Sequence, residues 1–189
     1  MRNAEATRER ILEAAMDEFS TFGIAGARVD RIARTAGCNK NLIYIYFENK
    51  ETLFTTVLQK HLDQAFEGIP FSVDDIPGFA VTVFDFAMAN PKIMRLLMWY
   101  TLEQNTVSSL PVRDVAHERK IDKISEAQAN GRINSALPPA FLLTSIMTIA
   151  TSWAATNPFG PGLNPDAAKN QDALRESVVK AVELLLQAK

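Results

Sequence analysis

Four side chains between positions 40 and 45 have the chemistry needed to read a DNA base edge: Lys40, Asn41, Tyr44 and Ile45. Helical spacing places them on one face. Asparagine pairs bidentately with adenine, lysine reaches guanine or a phosphate, and isoleucine contacts the thymine methyl group. The alternative is an ordinary polar helix surface. An outward Tyr44–Ile45 pair is costly to expose without a purpose, which favours a binding face.

The opposite face of this helix is apolar, with Leu42, Ile43, Tyr46 and Phe47 in one stripe. Before it, Gly37 supplies a position that accepts a left-handed backbone, and Asn39 is a good N-cap. A preceding helix over 28–36 carries small Ala33 where the two helices would cross. This pattern predicts a helix-turn-helix, whose second helix enters the DNA major groove.

Two flanking helices are expected to hold this unit in place. The first, over 5–22, would pack Ile11, Leu12, Ala15, Phe19 and Phe22 against the two short helices and end at Gly23. The second begins after Asn49, a predicted N-cap, and has Lys50 in its first turn. A lysine opposes the helix dipole there, whereas a phosphate would suit both the lysine and the free N–H groups.

Composition describes a globular protein of one or two domains: 189 residues, 47% hydrophobic and 22% charged. We find no apolar run of about 18 residues and no secretory signal, so neither a membrane span nor export is expected. Cys38 is the single cysteine, which excludes an internal disulfide and fits a reducing cytoplasm. We therefore expect a cytoplasmic protein.

Charge is distributed unevenly although the net charge is −2. Residues 24–50 carry five Lys or Arg against two acids, whereas residues 61–189 carry eleven against fourteen. A basic segment attached to an acidic body is consistent with a phosphate-binding face, although a few solvated charges would give the same balance.

The chain is predicted to be all-α, with about nine helices and no strands. They are expected over 5–22, 28–36, 40–47, 50–68, 74–89, 91–106, 111–130, 138–157 and 166–187, separated by glycine and proline. We predict a helix-turn-helix DNA-binding domain at 1–49 and a helical effector-binding and dimerisation domain at 50–189.

Residues 7–60 resemble the DNA-binding domain of the tetracycline-repressor-like (TetR) family. The segments TRERILEAAMDEFSTFG, VDRIARTAG and NKNLIYIYFENKETLF carry the resemblance. It implies a homodimeric transcriptional regulator, expected to be a repressor, which binds a palindromic double-stranded operator and is released by a small, largely apolar effector. It assigns Tyr44, Tyr46 and Lys50 to base-proximal and phosphate contacts. The rest of the chain is similar to the family only in length and helical character.

Two positions depart from the family pattern. Arg28 stands where a threonine or serine is common, so it cannot cap the following helix, but its guanidinium could reach a phosphate or a base edge. Asn41-Leu42 replaces a small residue followed by a small polar one. These two departures make the operator sequence of relatives a poor guide to that of this chain.

The resemblance also implies an effector pocket within the middle helices. The candidate ligand-binding residues are large apolar side chains with a few polar groups among them: Phe84, Met88, Met98, Trp99, Glu103, His117, Met147 and Trp153. For any single one of them, a place in the hydrophobic core is the simpler explanation.

The helices near 138–157 and 166–187 carry more apolar surface than a small domain needs to bury. A two-fold contact that joins both helices to those of a second copy is the predicted solution. Burial of both helices within one chain is the alternative.

No catalytic, metal or cofactor site is predicted. Cys38, His61 and His117 are scattered without ligand spacing, and no Ser-His-acid or glycine-rich phosphate motif occurs. Two other functions stay open. They are a helical protein–protein interaction module without DNA binding, and a constitutive repressor without a ligand.

Overall fold

The computed structural model describes residues 2–103 and 111–187, and within them the chain is helical with no strand. The α-helices are α1 (Arg2–Gly26), α2 (Val29–Ala36), α3 (Lys40–Phe47), α4 (Lys50–Gly68), α5 (Ile76–Ala89), α6 (Pro91–Leu102), α7 (Pro111–Ala129), α8 (Pro139–Ala150), α9 (Gly160–Leu163) and α10 (Gln171–Gln187), with a 3₁₀-helix at Ala167–Lys169. The all-α prediction is confirmed. Residues 104–106, where the sixth predicted helix ends, lie outside the described part of the chain. No helix in that part is long and apolar enough to span a bilayer.

The chain forms two compact units. The first comprises Met1–Asp63 and Lys92–Leu110, and the second comprises Gln64–Pro91 and Pro111–Lys189. Helix α6 therefore belongs to the same unit as α1 to α3. The division of roles at residue 49 stays a prediction.

The first unit is built on α1, which packs against α2. Phe19 of α1 is fully buried and meets the ring of Phe54 of α4 edge-on, with centroids 5.2 Å apart. Ile43 and Phe47 of α3 are also buried. Burying each such side chain contributes about 1.5–3 kcal/mol. Phe22 departs from the predicted stripe: it is 47% exposed, and its ring lies beneath the guanidinium of Arg31 at 4.2 Å.

Helix α1 kinks at Gly23, where φ is 67° and ψ is −177°. A Cβ at this position would lie 2.8 Å from two ring carbons of Trp99 on α6. Two polar contacts join the same helices: the Lys92 ammonium meets Asp17 at 2.5 Å, and Arg95 Nε donates to the Ser20 carbonyl at 2.6 Å. The predicted helix end at Gly23 is thus a kink within α1, and this kink packs directly against α6.

The second unit has one hydrophobic core shared by α5, α7, α8 and α10. Its buried members include Phe84 of α5, Ile124 of α7, Ile146 of α8 and Val182 of α10. Arg175 of α10 donates to Asp85 of α5 at 2.7 Å at the edge of this core. The described helices of the unit thus pack around their apolar faces.

The predicted helix over 138–157 is too long, because α8 ends at Ala150. The hydroxyls of Thr151 and Ser152 bond to the carbonyls of Met147 and Ile149 at 2.8 and 2.7 Å. The backbone N–H groups of Thr151 and Ser152 reach the same two carbonyls at 3.0 and 3.2 Å, so each carbonyl at the helix end accepts from both the backbone and the side chain of one residue. The backbone of Gly160 then packs so closely on Ser152 that a Cβ would lie 2.0 Å from its carbonyl oxygen. The chain consequently turns into the short helix α9, which was not predicted.

The last helix begins later than predicted, at Gln171 rather than near residue 166. Asn170 Oδ1 accepts a hydrogen bond from the Ala173 N–H at 3.2 Å and so caps α10. The cap residue is visible in the sequence, but the helical pattern begins before it, so the predicted helix started too early.

Candidate functional sites

The turn between α2 and α3 has the predicted geometry. Gly37 is left-handed, with φ 63° and ψ 41°, and the N–H of Cys38 returns to the carbonyl of Ala33 at 3.0 Å. Asn39 Oδ1 accepts a hydrogen bond from the Asn41 N–H at 2.8 Å, which confirms the predicted cap. The turn therefore ends α2 and starts α3 within three residues.

Helix α3 is held by one face and presents the other. Ile43 and Phe47 are buried, and the guanidinium of Arg8 lies 5.4 Å from the Phe47 ring centroid. The outward residues are all exposed, and Ile45 exposes 72% of its surface. They are the four predicted from spacing: Lys40, Asn41, Tyr44 and Ile45. Tyr46 is half-buried on the inner side.

The beginning of α2 is fixed by a carboxylate from α1. Glu18 is buried, and its Oε1 accepts the backbone N–H of Arg28 at 2.8 Å. Its two oxygens also accept Arg31 Nε, at 2.8 and 3.0 Å. Arg31 donates further to the Gly26 carbonyl at 3.1 Å. This buried carboxylate accepts three charge-assisted hydrogen bonds, which fix the start of α2 against α1.

Sequence reasoning missed Glu18 and Arg31. Arg28 does stand at the N-cap of α2 without a side-chain cap, as its residue type implies. The missing side-chain cap at Arg28 could have indicated such a partner, because the free N–H groups of an uncapped helix start need an acceptor from another part of the chain. The Arg28 side chain is exposed, so it is available to a phosphate.

Lys40 does not stand alone on the outward face. Its ammonium lies 3.0 Å from a carboxylate oxygen of Asp30 on α2. The hydrogen bond to Asp30 and the attraction between the two charges raise the pKa of Lys40 above its ordinary value. Both side chains are exposed. This exposed pair was not predicted.

The junction between α3 and α4 is tight. Glu48 has a positive φ of 62°, and the N–H of Asn49 bonds to the carbonyl of Phe47 at 2.6 Å. Asn49 Oδ1 accepts the Thr52 N–H at 2.7 Å, which confirms its predicted cap. Lys50 is half-buried, and its ammonium lies 3.4 Å from the Ala27 carbonyl. The lysine thus bridges the first turn of α4 and the entry to α2.

In the second unit, α7 and α8 line a groove of about 330 Å³. It brings together two of the predicted ligand-binding residues, His117 and Met147. The remaining walls are apolar side chains and threonines: Ile121, Ala140, Leu143, Thr144, Thr148 and Thr151. The hydroxyls of Thr144, Thr148 and Thr151 each donate to a carbonyl of their own helix, four residues earlier. They therefore offer methyl groups and lone pairs to the groove.

The other predicted ligand-binding residues lie elsewhere. In the second unit, Phe84 is fully buried in the core and Met88 packs on it. Trp153 also packs there, and its Nε1 is buried without a hydrogen-bond acceptor among the described residues. The other three, Met98, Trp99 and Glu103, belong to the first unit. There Met98 is exposed and Trp99 packs on Gly23.

Apolar side chains remain exposed on the helices predicted to dimerise. Phe141 of α8 is 59% exposed and Leu184 of α10 is 61% exposed. Phe159 and Leu163, in the segment between these helices, are more exposed still. The inner stripe of α10 is covered within the chain, through Leu174, Val178 and Val182. Both helices therefore contribute to the core and keep a second apolar surface.

Cys38 is half-buried in the turn between α2 and α3. Within residues 2–103 and 111–187, no three His, Cys, Asp or Glu side chains gather in a way that could hold a metal ion.

Two family descriptions match the chain. Residues 11–57 match "Bacterial regulatory proteins, tetR family", and residues 75–183 match "Tetracyclin repressor-like, C-terminal domain". The first match spans α2 and α3, and the second spans most of the groove-forming unit.

Individual relatives agree with this assignment. The HTH-type transcriptional repressor SCO4008 of Streptomyces coelicolor is 39% identical, over 98% of this chain and 97% of its own. The crystal structure of the transcriptional regulator SCO4942 from Streptomyces coelicolor has a TM-score of 0.82 and 35% identity, over 97% of this chain and 99% of its own. The regulator RutR of Escherichia coli is 44% identical over 62 residues, 33% of this chain and 29% of its own. Each of these proteins is named as a transcriptional regulator, and the chain belongs to the TetR family of helix-turn-helix transcriptional regulators.

Proposed function

We propose that the chain represses transcription as a homodimer and releases its operator when a small, largely apolar molecule binds the second unit. Each copy would insert α3 into a major groove, and the two grooves would lie on one face of a palindromic operator in the cytoplasm. Lys40, Asn41, Tyr44 and Ile45 would meet base edges. Arg28, Tyr46 and Lys50 would hold the backbone or lie close to the bases.

The anchoring of α3 is the observation that carries this proposal. Its inner face is buried through Ile43 and Phe47, and its start is capped by Asn39. The exposed residues of α3 include lysine, asparagine and isoleucine, types whose side chains can contact base edges in the major groove. A helix packed through its inner face and exposing such an outer face meets the requirement for major-groove reading. In protein–DNA complexes, base contacts specify the sequence, whereas phosphate contacts position the protein.

The test measures, by fluorescence anisotropy at low salt, binding to DNA duplexes from the region upstream of the gene that encodes this chain. We expect tight binding that weakens strongly when Lys40 and Lys50 are both changed to glutamate. A single charge reversal at Lys123, exposed on α7, should leave affinity unchanged. Equal affinity of all three proteins, or no binding to any fragment, would instead favour a helical protein-interaction module.

The groove between α7 and α8 supports an effector site within the predicted domain 50–189. Its walls are mainly apolar, with His117 and the threonine oxygens as the groups able to orient a ligand. An effector must bind one conformation more tightly than another if it is to change DNA affinity. The groove favours ligand control over a constitutive repressor, whose operator affinity would stay the same whatever molecule occupied the groove.

The exposed apolar residues of α8 and α10 support a dimer through the segments 138–157 and 166–187. Phe141 and Leu184 are large side chains that the chain itself does not cover. Pairing the same surfaces across a two-fold axis would bury them and set the distance between two DNA-binding heads.

A further inference from the structure

An acidic side chain lies beside the start of the recognition helix. Asp30 on α2 is 67% exposed, and its Oδ1 is 3.0 Å from the ammonium of Lys40, the first residue of α3. A carboxylate on a surface that approaches phosphates weakens affinity, because it repels the backbone that the nearby lysines and arginines attract. We therefore look for a favourable contribution of Asp30 that offsets this repulsion.

Stabilisation of the turn between α2 and α3 does not offset this repulsion. An ion pair between two exposed side chains contributes little to stability, because solvent and salt screen the attraction between the charges. The crossing of α2 and α3 is already fixed by left-handed Gly37 and by the Asn39 cap. Asp30 is therefore free to serve recognition.

The ion pair presents a donor beside an acceptor. The major-groove edge of a G·C pair presents the complementary arrangement, with the O6 acceptor of guanine beside the N4 donor of cytosine. These two base atoms are hydrogen-bonded to each other, so they lie about 2.9 Å apart. The 3.0 Å between Lys40 Nζ and Asp30 Oδ1 matches that spacing.

We propose that Asp30 is a specificity-determining residue, which reads together with Lys40 the orientation of one G·C pair in each half-site. Lys40 donates to O6 and N7 of guanine, and Asp30 accepts from N4 of the paired cytosine. This inference rests on the proposed insertion of α3 into the major groove.

The arrangement predicts an order among base pairs. Inversion to C·G places the N4 donor against the ammonium and the O6 acceptor against the carboxylate, so both contacts are lost. A·T with adenine on the lysine side repeats that conflict and keeps only N7. T·A preserves a carbonyl beside Lys40 and an amino group beside Asp30, although N7 is lost. Binding should decrease from G·C through T·A to A·T and C·G.

The experiment selects binding sites from random duplexes of about 30 base pairs, long enough for two half-sites a helical turn or more apart. The full-length protein is compared with Asp30→Ala, Asp30→Asn and Lys40→Met. Glu126→Gln removes the same charge from an exposed position on α7 and serves as the control. Thermal unfolding of each protein is recorded alongside, and the conclusion uses the variants that melt like the wild type.

We expect the wild type and Glu126→Gln to select one G·C pair in each half-site. Asp30→Ala and Lys40→Met should lose the preference at that same pair and keep it elsewhere. On the selected operator, inverting the pair should weaken wild-type binding about tenfold or more, whereas Asp30→Ala should discriminate far less. Asp30→Asn should relax the selection, since an amide presents both a donor and an acceptor.

Two results would overturn the inference. If the wild type selects an operator but Asp30→Ala selects the same one, Asp30 does not read bases while the proposed function stands. Altered preference at different pairs in Asp30→Ala and Lys40→Met would also exclude a shared reading. Failure of the wild type to enrich any sequence would count against the proposed function and this inference together.

Discussion

Glu18 accepts the backbone N–H of Arg28 at 2.8 Å, and in this way a residue of α1 caps the start of α2. In a capping box, an acid three residues inside the helix makes that bond. Here that position is Arg31, which binds the same carboxylate instead. The start of α2 is therefore joined to α1 by side chains from both helices, and α3 follows from α2 through the fixed turn.

Removing the Glu18 carboxylate should destabilise the protein, because Arg31 would keep a partly buried charge without its partner. We expect Glu18→Leu to lower the free energy of unfolding by about 1–3 kcal/mol, and Glu18→Gln by less because an acceptor oxygen remains. Urea denaturation measures both. Glu13→Gln, exposed on the same helix, should change stability by about 0.5 kcal/mol or less. Equal losses in the Glu13 and Glu18 variants would rule out a special role for the buried carboxylate.

The same carboxylate should make stability depend on pH. Burial raises the pKa of Glu18, but hydrogen bonds from Arg31 and the Arg28 backbone, with their charges, outweigh it and hold the pKa below its usual 4.5. The folded state then binds the proton less tightly than the unfolded chain. The stabilisation is complete above the unfolded pKa and is lost as the pH falls through the folded one. The stability gap between wild type and Glu18→Gln should therefore be constant near neutrality and shrink below about pH 5. A gap independent of pH down to acid unfolding would contradict this.

Gly23 should tolerate no side chain. Its φ of 67° with ψ near 180° belongs to a backbone region open almost only to glycine, and a Cβ would press on the Trp99 ring at 2.8 Å. We expect Gly23→Ala to lower the free energy of unfolding by about 2–6 kcal/mol, the sum of backbone strain and overpacking, as measured by thermal unfolding. Trp99→Ala in the same chain should relieve the overpacking but not the strain. Gly68→Ala, where a Cβ meets open space, is the matched control. Full rescue by Trp99→Ala would show that the backbone carries no strain.

Local pattern was sufficient for the helix-turn-helix. The Gly37 turn, the Asn39 and Asn49 caps and the two faces of α3 depend on residues close in sequence, and each was predicted. Contacts between distant residues were not. Glu18 reaches Arg28 and Arg31 across a kink, and nothing in the spacing of α1 distinguishes a buried acid from an exposed one.

The end of α8 shows the same limit. Its helical pattern continues to residue 157, but hydroxyl groups of Thr151 and Ser152 and the close approach of Gly160 end the helix seven residues earlier. Sequence pattern reports which residues favour a helix, whereas the packing of a later segment decides where it stops. The predicted ligand-binding residues lie in different places for a similar reason. An apolar residue type alone does not tell whether a side chain lines a groove, as Met147 does, or lies in the core, as Phe84 does.

Lys50 should contribute to DNA affinity without contributing to specificity. It lies in the first turn of α4, where its charge and the free N–H groups of the helix suit a phosphate. Lys50→Met should weaken binding to all sequences alike and reduce the slope of log K against log salt by about 1. Anisotropy titrations at several salt concentrations give the slope. Lys123→Met on α7 should leave it unchanged, and a Lys50 variant with the wild-type slope would exclude a phosphate contact.

Charges placed on the exposed apolar surface should separate the proposed dimer. Phe141→Glu and Leu184→Glu introduce carboxylates at positions 59% and 61% exposed, so the folded single chain should tolerate them. Across a two-fold contact each charge would be buried, and buried unpaired charges are strongly unfavourable. Sedimentation equilibrium should show a dimer for the wild type and monomers for these variants. Val115→Glu, at an exposed apolar site of α7, should remain dimeric, and a dimer in every variant would place the interface elsewhere.

Filling the groove of the second unit should block ligand binding while leaving DNA binding intact. Met147 lines this groove of about 330 Å³, and Met147→Trp would occupy part of the space that an apolar molecule needs. The dye 1-anilinonaphthalene-8-sulfonate serves as the apolar probe, with fluorescence reporting its binding. We expect the wild type to enhance the dye fluorescence in a saturable way, and Met147→Trp to bind the dye at least several-fold more weakly while binding its operator normally. Overpacking costs about 1–3 kcal/mol, so thermal unfolding must show that the variant is folded at the assay temperature. Met98→Trp adds the same ring to an exposed position in the first unit and should bind the dye like the wild type. If it instead lost the dye while Met147→Trp kept it, the effector site would have to be sought near α6, because the groove between α7 and α8 would then not be where apolar molecules bind.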